Sequence, residues 1–135
     1  MKKLLIILLS SLFLVAACSS GPQYTKEQLD SLANCLAEKQ VKEYGAFWCP
    51  NCAKQEKMFK DSFPIIKESV YIECDPRCDV SEEELPIACR GKQGQPLLCI
   101  EKGIDKYPTW EMPSGETFTG ITELSILAEK SGCSM

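Results

Sequence analysis

Cys49 and Cys52 stand two residues apart in "EYGAFWCPNC", with Pro50 and Asn51 between them and Trp48 in front. Three chemistries fit such a pair. The thiols can form a redox couple, they can supply half of a zinc site, or they can close an inert structural bridge. Disulfide exchange needs one thiolate to attack and a second thiol to resolve the mixed disulfide. A thiolate is favoured at a helix N-terminus, where unpaired N–H groups and the helix dipole stabilise negative charge. The local pattern predicts that setting: an apolar stretch runs into Trp48, and Pro50 suits the first turn of a helix. Zinc would need Cys74 and Cys78 as the other two ligands, because the chain contains no histidine. A helix-starting proline inside the first pair fits a redox turn better than a metal knuckle.

The elements that must position these thiols can be read from periodicity. "TKEQLDSLANCLAEK" predicts a helix, with Thr25 and Gln28 at capping-box spacing and Leu29, Leu32, Ala33 and Leu36 on one face. "QVKEYGAFW" is a strand running into Cys49. The helix after it is expected to continue through "NCAKQEKMFKDSF", with Phe59 and Phe63 turned to the core. "SVYIEC" is a second strand. Residues 75–94 carry several breakers and little periodicity. "QPLLCIEKG" is a short helix between Pro96 and Gly103. "KYPTWEM" and "ETFTG" are strands joined by "PSG", so they are antiparallel. "TELSILAEKSG" is a closing helix with Leu124, Leu127 and Ala128 inward and Gly132 as its stop. This alternation predicts an α/β fold with helices layered on a mixed sheet of about four strands.

The start of the chain belongs to a different problem. Lys2 and Lys3 precede an apolar run over residues 4–17, too short to span a bilayer comfortably, since a span needs about 20 residues. This reads as a secretory signal peptide. "VAAC" resembles the bacterial lipobox, which implies cleavage before Cys18 and lipid on Cys18. The expected organisation is a signal peptide over 1–17, a lipidated tether over 18–24, and one domain over 25–135 with an insertion around 75–94. The expected location is the extracytoplasmic side of a bacterial cell envelope, anchored to a membrane by the Cys18 lipid. The whole chain carries 15 basic and 19 acidic residues. Removing Lys2 and Lys3 leaves 13 basic residues and a net charge of −6, which argues against a nucleic-acid partner. The acidic "DVSEEEL" stretch reads as solvated surface.

Nine cysteines are present, and eight remain after Cys18. An even, dense set in an exported chain predicts disulfides. Eight cysteines allow 105 connectivities, so spacing alone does not choose among them. Element positions narrow the choice. Cys35 on the first helix and Cys133 after the last would staple the two ends. Cys74 ends a strand and Cys99 lies on a later helix. Cys78 and Cys89 bracket the acidic insertion. The expected bridges are therefore Cys35–Cys133, Cys74–Cys99 and Cys78–Cys89.

"YGAFWCPNC", followed much later by "GIDKYPTWEM", resembles the thioredoxin superfamily. More narrowly, it is similar to the thioredoxin-like domain that is fused to, or works with, bacterial vitamin K epoxide reductase homologues. The similarity runs from about residue 32 to residue 133. It implies Cys49 as nucleophile and Cys52 as resolving thiol. Pro108, between Tyr107 and Thr109, would be the cis-proline lying against the active disulfide. Glu43 aligns with the buried acid that relays protons to the resolving cysteine. Trp48 is expected to be a partly exposed contact surface beside the site, and Trp110 a core residue. No cofactor and no metal are expected. The implied partners are exported protein thiols or disulfides and a membrane redox partner, either a vitamin K epoxide reductase homologue or a thiol-transporting reductase. Asn51 departs from the histidine common at this position in the narrower family, which leaves strength as an oxidant open. The competing function is a disulfide-stapled binding lipoprotein with an inert Cys49–Cys52 bond, because fold alone does not fix function.

Overall fold

The computed structural model describes residues 21–135. The expected signal peptide and Cys18 lie outside the described residues. In chain order the elements are α1 (Lys26–Glu38), β1 (Lys42–Gly45), α2 (Pro50–Met58), α3 (Phe63–Ser69), β2 (Tyr71–Glu73), α4 (Pro96–Glu101), β3 (Thr109–Glu111), β4 (Thr117–Thr119) and α5 (Leu124–Ser131). The strands form one four-stranded sheet in the order β2-β1-β3-β4. β1 runs parallel to β2 and antiparallel to β3, and β4 is antiparallel to β3. A mixed sheet flanked by helices in this order is a thioredoxin-like α/β fold. Among the described residues, no helix is long and apolar enough to cross a membrane.

Local sequence explains most of these boundaries. Thr25 caps α1: its hydroxyl accepts the Gln28 N–H at 3.3 Å, and the Gln28 side chain accepts the Thr25 N–H at 3.0 Å. Both donors would otherwise be orphans of the first turn. Leu29, Leu32, Ala33 and Leu36 are the buried face of that helix. Each such leucine stabilises the fold by about 1.5–3 kcal/mol through burial. α5 ends at Gly132, which takes φ 68°, a left-handed conformation costly for residues with a Cβ.

The helix expected to run from Pro50 through Phe63 is in fact two helices. α2 stops at Met58, Lys60 adopts φ 49°, and a single 3-10 turn over Lys60–Ser62 leads into α3. The physical reason is Pro64, whose ring would clash with the carbonyl four residues back in a continuous helix and whose nitrogen has no proton to donate. At the start of a new helix that deficit costs nothing. Phe59 is nonetheless buried and Phe63 packs at the edge of the same cluster, so both still serve the core.

The sheet separates two apolar clusters. The larger joins α1, α3 and α5 to Trp110 and Met112 on β3 and beyond. The smaller contains Tyr44, Ile72, Cys74 and Cys99 and is roofed by α4. Alternation along β1 divides the work. Tyr44, opposite Ile72, faces the smaller cluster, whereas Glu43 stands opposite both Tyr71 and Trp110 on the other face.

Among the described residues, three disulfides pin this framework. Cys35–Cys133 spans 98 residues and ties α1 to the end of α5. Cys74–Cys99 fastens α4 to the end of β2, and Cys78–Cys89 closes an 11-residue separation inside the insertion. The insertion consists of three short 3-10 turns, Pro76–Cys78, Glu82–Glu84 and Ile87–Cys89. It returns to the sheet edge through a parallel bridge between Glu73 and Gly94.

Candidate active site

Cys49 is the N-cap residue of α2, with extended backbone (φ −74°, ψ 119°), and Pro50 opens the helix. The Cys49 sulfur accepts the Cys52 backbone N–H at 3.2 Å. An orphan donor of the first turn thus points at the sulfur, which favours negative charge there. Cys49 and Cys52 are both unbonded thiols. Cys49 is largely shielded from solvent. It is 6 % exposed, because Tyr107 packs against it, whereas Cys52 is fully buried. Burial raises the Cys52 thiol well above its ordinary value, and its hydrogen-bonded neighbour Cys49 adds to the shift. The two thiols therefore differ in setting: one sits at a helix start beside a donor, the other beneath it with its proton retained.

The facing wall comes from the segment before β3. The Tyr107–Pro108 bond is cis and Pro108 is buried. Tyr107 touches both the Cys49–Cys52 cluster and the Tyr44–Cys74 cluster. Trp48 is 54 % exposed and meets Tyr107 edge-on, with ring centroids 6.1 Å apart. Thr109 is buried and its hydroxyl donates to the Lys106 carbonyl at 2.8 Å, which fixes the turn before the proline. An open groove of about 450 Å³ runs past Cys49 between Trp48, Asn51, Tyr107 and Thr119. Asn51 is exposed where it lines the groove, and Pro50 before it is exposed as well.

Behind Cys52 lies a cluster of buried acids. Glu43 is fully buried, and neither of its carboxyl oxygens has a hydrogen-bond partner among the described residues. Its pKa is pushed up to about 8, first by burial and then by the Glu56 charge. Tyr71 and Glu73 share its sheet face by alternation. The Tyr71 hydroxyl donates to Glu73 at 2.9 Å, and burial moves the Glu73 carboxyl upward. Gly45 makes this packing possible. A Cβ there would lie 2.6 Å from the Tyr71 ring and 3.1 Å from the Cys52 sulfur. Real Cβ contacts do not reach the first distance, so any side chain at 45 would displace Tyr71.

Sequence reading found Glu43 but missed Tyr71, Glu73, Asp75, Glu56 and Arg90. The alternation of "SVYIEC" carried a signal, since it sets Tyr71 and Glu73 on one face. Nothing local marks Asp75, which accepts the Trp48 indole N–H, or Arg90, which crosses from the insertion to α2. The thiolate quartet considered for zinc does not assemble, because Cys74 pairs with Cys99 and Cys78 with Cys89.

No family model matches the chain. Thiol-disulfide oxidoreductase LTO1 of Arabidopsis thaliana is 34% identical over 107 residues, covering 78% of this chain and 24% of the relative. Over that stretch this chain is similar to a thiol-disulfide oxidoreductase. It spans only about a quarter of that relative's length.

Proposed function

We propose that the chain is a membrane-anchored thiol–disulfide oxidoreductase that exchanges disulfides with exported proteins through Cys49 and Cys52. The observation that carries this reading is the Cys49 sulfur capping α2 and accepting the Cys52 N–H at 3.2 Å, at the edge of an open groove. The similarity to a thiol-disulfide oxidoreductase supports it.

In the reducing direction the Cys49 thiolate attacks one sulfur of a substrate disulfide. A Cys49–substrate bond forms, and the other substrate sulfur leaves as a thiolate. Cys52 then gives up its proton, with the Glu43 carboxylate behind it as the proton sink, and attacks the Cys49 sulfur. The Cys49–Cys52 bond forms and the second substrate thiol departs. Two electrons have passed from the domain to the substrate. The oxidising direction is the reverse. With a pKa of about 8, Glu43 exists in both protonation states around neutral pH and can serve either direction. Trp48 and Tyr107 offer flat apolar surface for an extended peptide beside the sulfur.

Anchoring by lipid on Cys18 would keep the domain near a membrane redox partner, a vitamin K epoxide reductase homologue for oxidation or a thiol-transporting reductase for reduction. The test is direct. Cys49→Ser is expected to abolish insulin reduction and dithiol oxidation, and Cys52→Ser to accumulate mixed disulfides through Cys49. Full activity in the Cys49→Ser protein would sink the reading. A Cys49/Cys52 reduction potential below about −300 mV would instead mark a structural bridge.

A further inference from the structure

The stapled insertion delivers a cation to the acids behind Cys52. Arg90 follows Cys89 directly and adopts a left-handed conformation, φ 53° and ψ 35°, at the end of the last 3-10 turn. Its guanidinium crosses to α2 and grips Glu56 with two bonds, Nη1 to Oε2 at 2.6 Å and Nη2 to Oε1 at 2.8 Å. The pair is anchored from both sides. The Arg90 carbonyl accepts from Lys67 on α3, and the neighbouring Cys89 is bonded to buried Cys78. The Glu56 side chain is 9 % exposed, so its charge is weakly screened by water. Glu56 lies one helical turn beyond Cys52 and is the charged neighbour that acts on Glu43. Arg90 also faces Tyr71 and Glu73 from above β2.

We propose that Arg90 is a positioning residue for the proton step at Cys52: its bidentate grip on Glu56 governs how much negative charge faces Glu43. This rests on the oxidoreductase reading of Cys49 and Cys52, and it gives the insertion a role in that chemistry. The groups that bear on Glu43 are Cys52 and Glu56 on α2 and Tyr71 on β2, with Glu73 and Cys49 next to them. From β3 the partner is Trp110, which does not titrate. Lys67 and Lys92 line the pocket over Tyr71 and Glu73 together with Arg90, and Arg90 is the cation paired with Glu56. Removing it leaves the Glu56 charge unopposed, so Glu43 should hold its proton to higher pH. Removing Glu56 should do the opposite. Removing both should nearly cancel.

The test is a four-way cycle of the full chain: wild type, Arg90→Met, Glu56→Gln and the double variant. The Glu43 carboxyl carbon is titrated by ¹³C NMR. The midpoint should rise in Arg90→Met by on the order of one pH unit, fall in Glu56→Gln, and return close to wild type in the double variant. Arg90→Lys, which keeps the charge without the fork, should lie between wild type and Arg90→Met, and serves if the methionine variant folds poorly. The pH midpoint for resolution of a Cys49 mixed disulfide should follow the same order. An unmoved Glu43 midpoint in both single variants, or shifts of the same sign, would overturn the proposal. A wild type without exchange activity would remove the oxidoreductase reading, while the Glu43 titration would still decide the electrostatic link.

Discussion

The indole Nε1 of Trp48 donates a 2.6 Å hydrogen bond to the Asp75 carboxylate, joining the residue before Cys49 to the first residue after the β2 strand end and Cys74. Asp75 also accepts from Arg77 Nε and Nη2 at 2.9 and 2.8 Å, and the Arg77 guanidinium sits 4.8 Å over the Phe47 ring. Two residues of the insertion thus clamp two residues of the active-site loop. These bonds hold the Asp75 carboxyl well below the usual carboxylate range, with Arg77 as the main cause.

Asp75→Ala should therefore loosen Trp48 and lower stability by about 2 kcal/mol, the scale of a lost hydrogen bond to a charged group. Urea unfolding measures the loss of stability, and the exchange rate with a protein disulfide should fall with it. Stability and rate both equal to wild type would show that the clamp has no hold on the loop.

Glu43 gives a stability signature in pH. Its folded pKa is about 8, against an ordinary value of about 4.3 in the unfolded chain. Between those values the unfolded chain releases a proton that the folded chain keeps, so stability should fall as pH rises through the window. Glu43→Gln removes the titration. The variant should gain on wild type in thermal melts steadily from pH 5 to pH 8, while its Cys52-dependent resolution step slows. Melting curves that stay parallel across this range would contradict a buried, proton-holding Glu43.

The Cys35–Cys133 bridge closes the longest loop, at a sequence separation of 98 residues. Replacing both cysteines by serine should cost about 4.7 kcal/mol in the chain-entropy view. The readout is the urea midpoint, with the reduction potential of Cys49/Cys52 expected to stay in place. A shift in that potential would mean that the bridge is felt at the site.

Asn51 lies exposed between the two thiols and lines the groove. Asn51→His puts an ionisable ring beside the Cys49 sulfur. Its cation should stabilise the thiolate and the reduced form, raising the reduction potential by about 30 mV, a tenfold change for a two-electron couple. The rise should be larger at pH 6 than at pH 8, because the free imidazole titrates near pH 6.5. Equilibration with glutathione at the two pH values measures it. Equal potentials in variant and wild type would remove Asn51 as the position that tunes the couple.

Short-range pattern alone encodes several of these features. The strand-to-helix setting of Cys49 follows from an apolar run and Pro50. The Thr25 cap, the α5 stop at Gly132 and the antiparallel β3–β4 pair follow from turn and capping chemistry within a few residues. The α2–α3 break was locally encoded as well, in Pro64, but two phenylalanines at core spacing concealed it. Which distant side chains meet at the site is set by the packed fold. Glu43 and Tyr71 lie on strands joined through two helices, Asp75 reaches Trp48 across the insertion, and Arg90 reaches Glu56 across 34 positions. Such contacts depend on strand register and on where a disulfide-stapled loop folds back. Neither leaves a periodic trace, since a buried glutamate and a solvated one look alike in a sequence until the sheet assigns each a face.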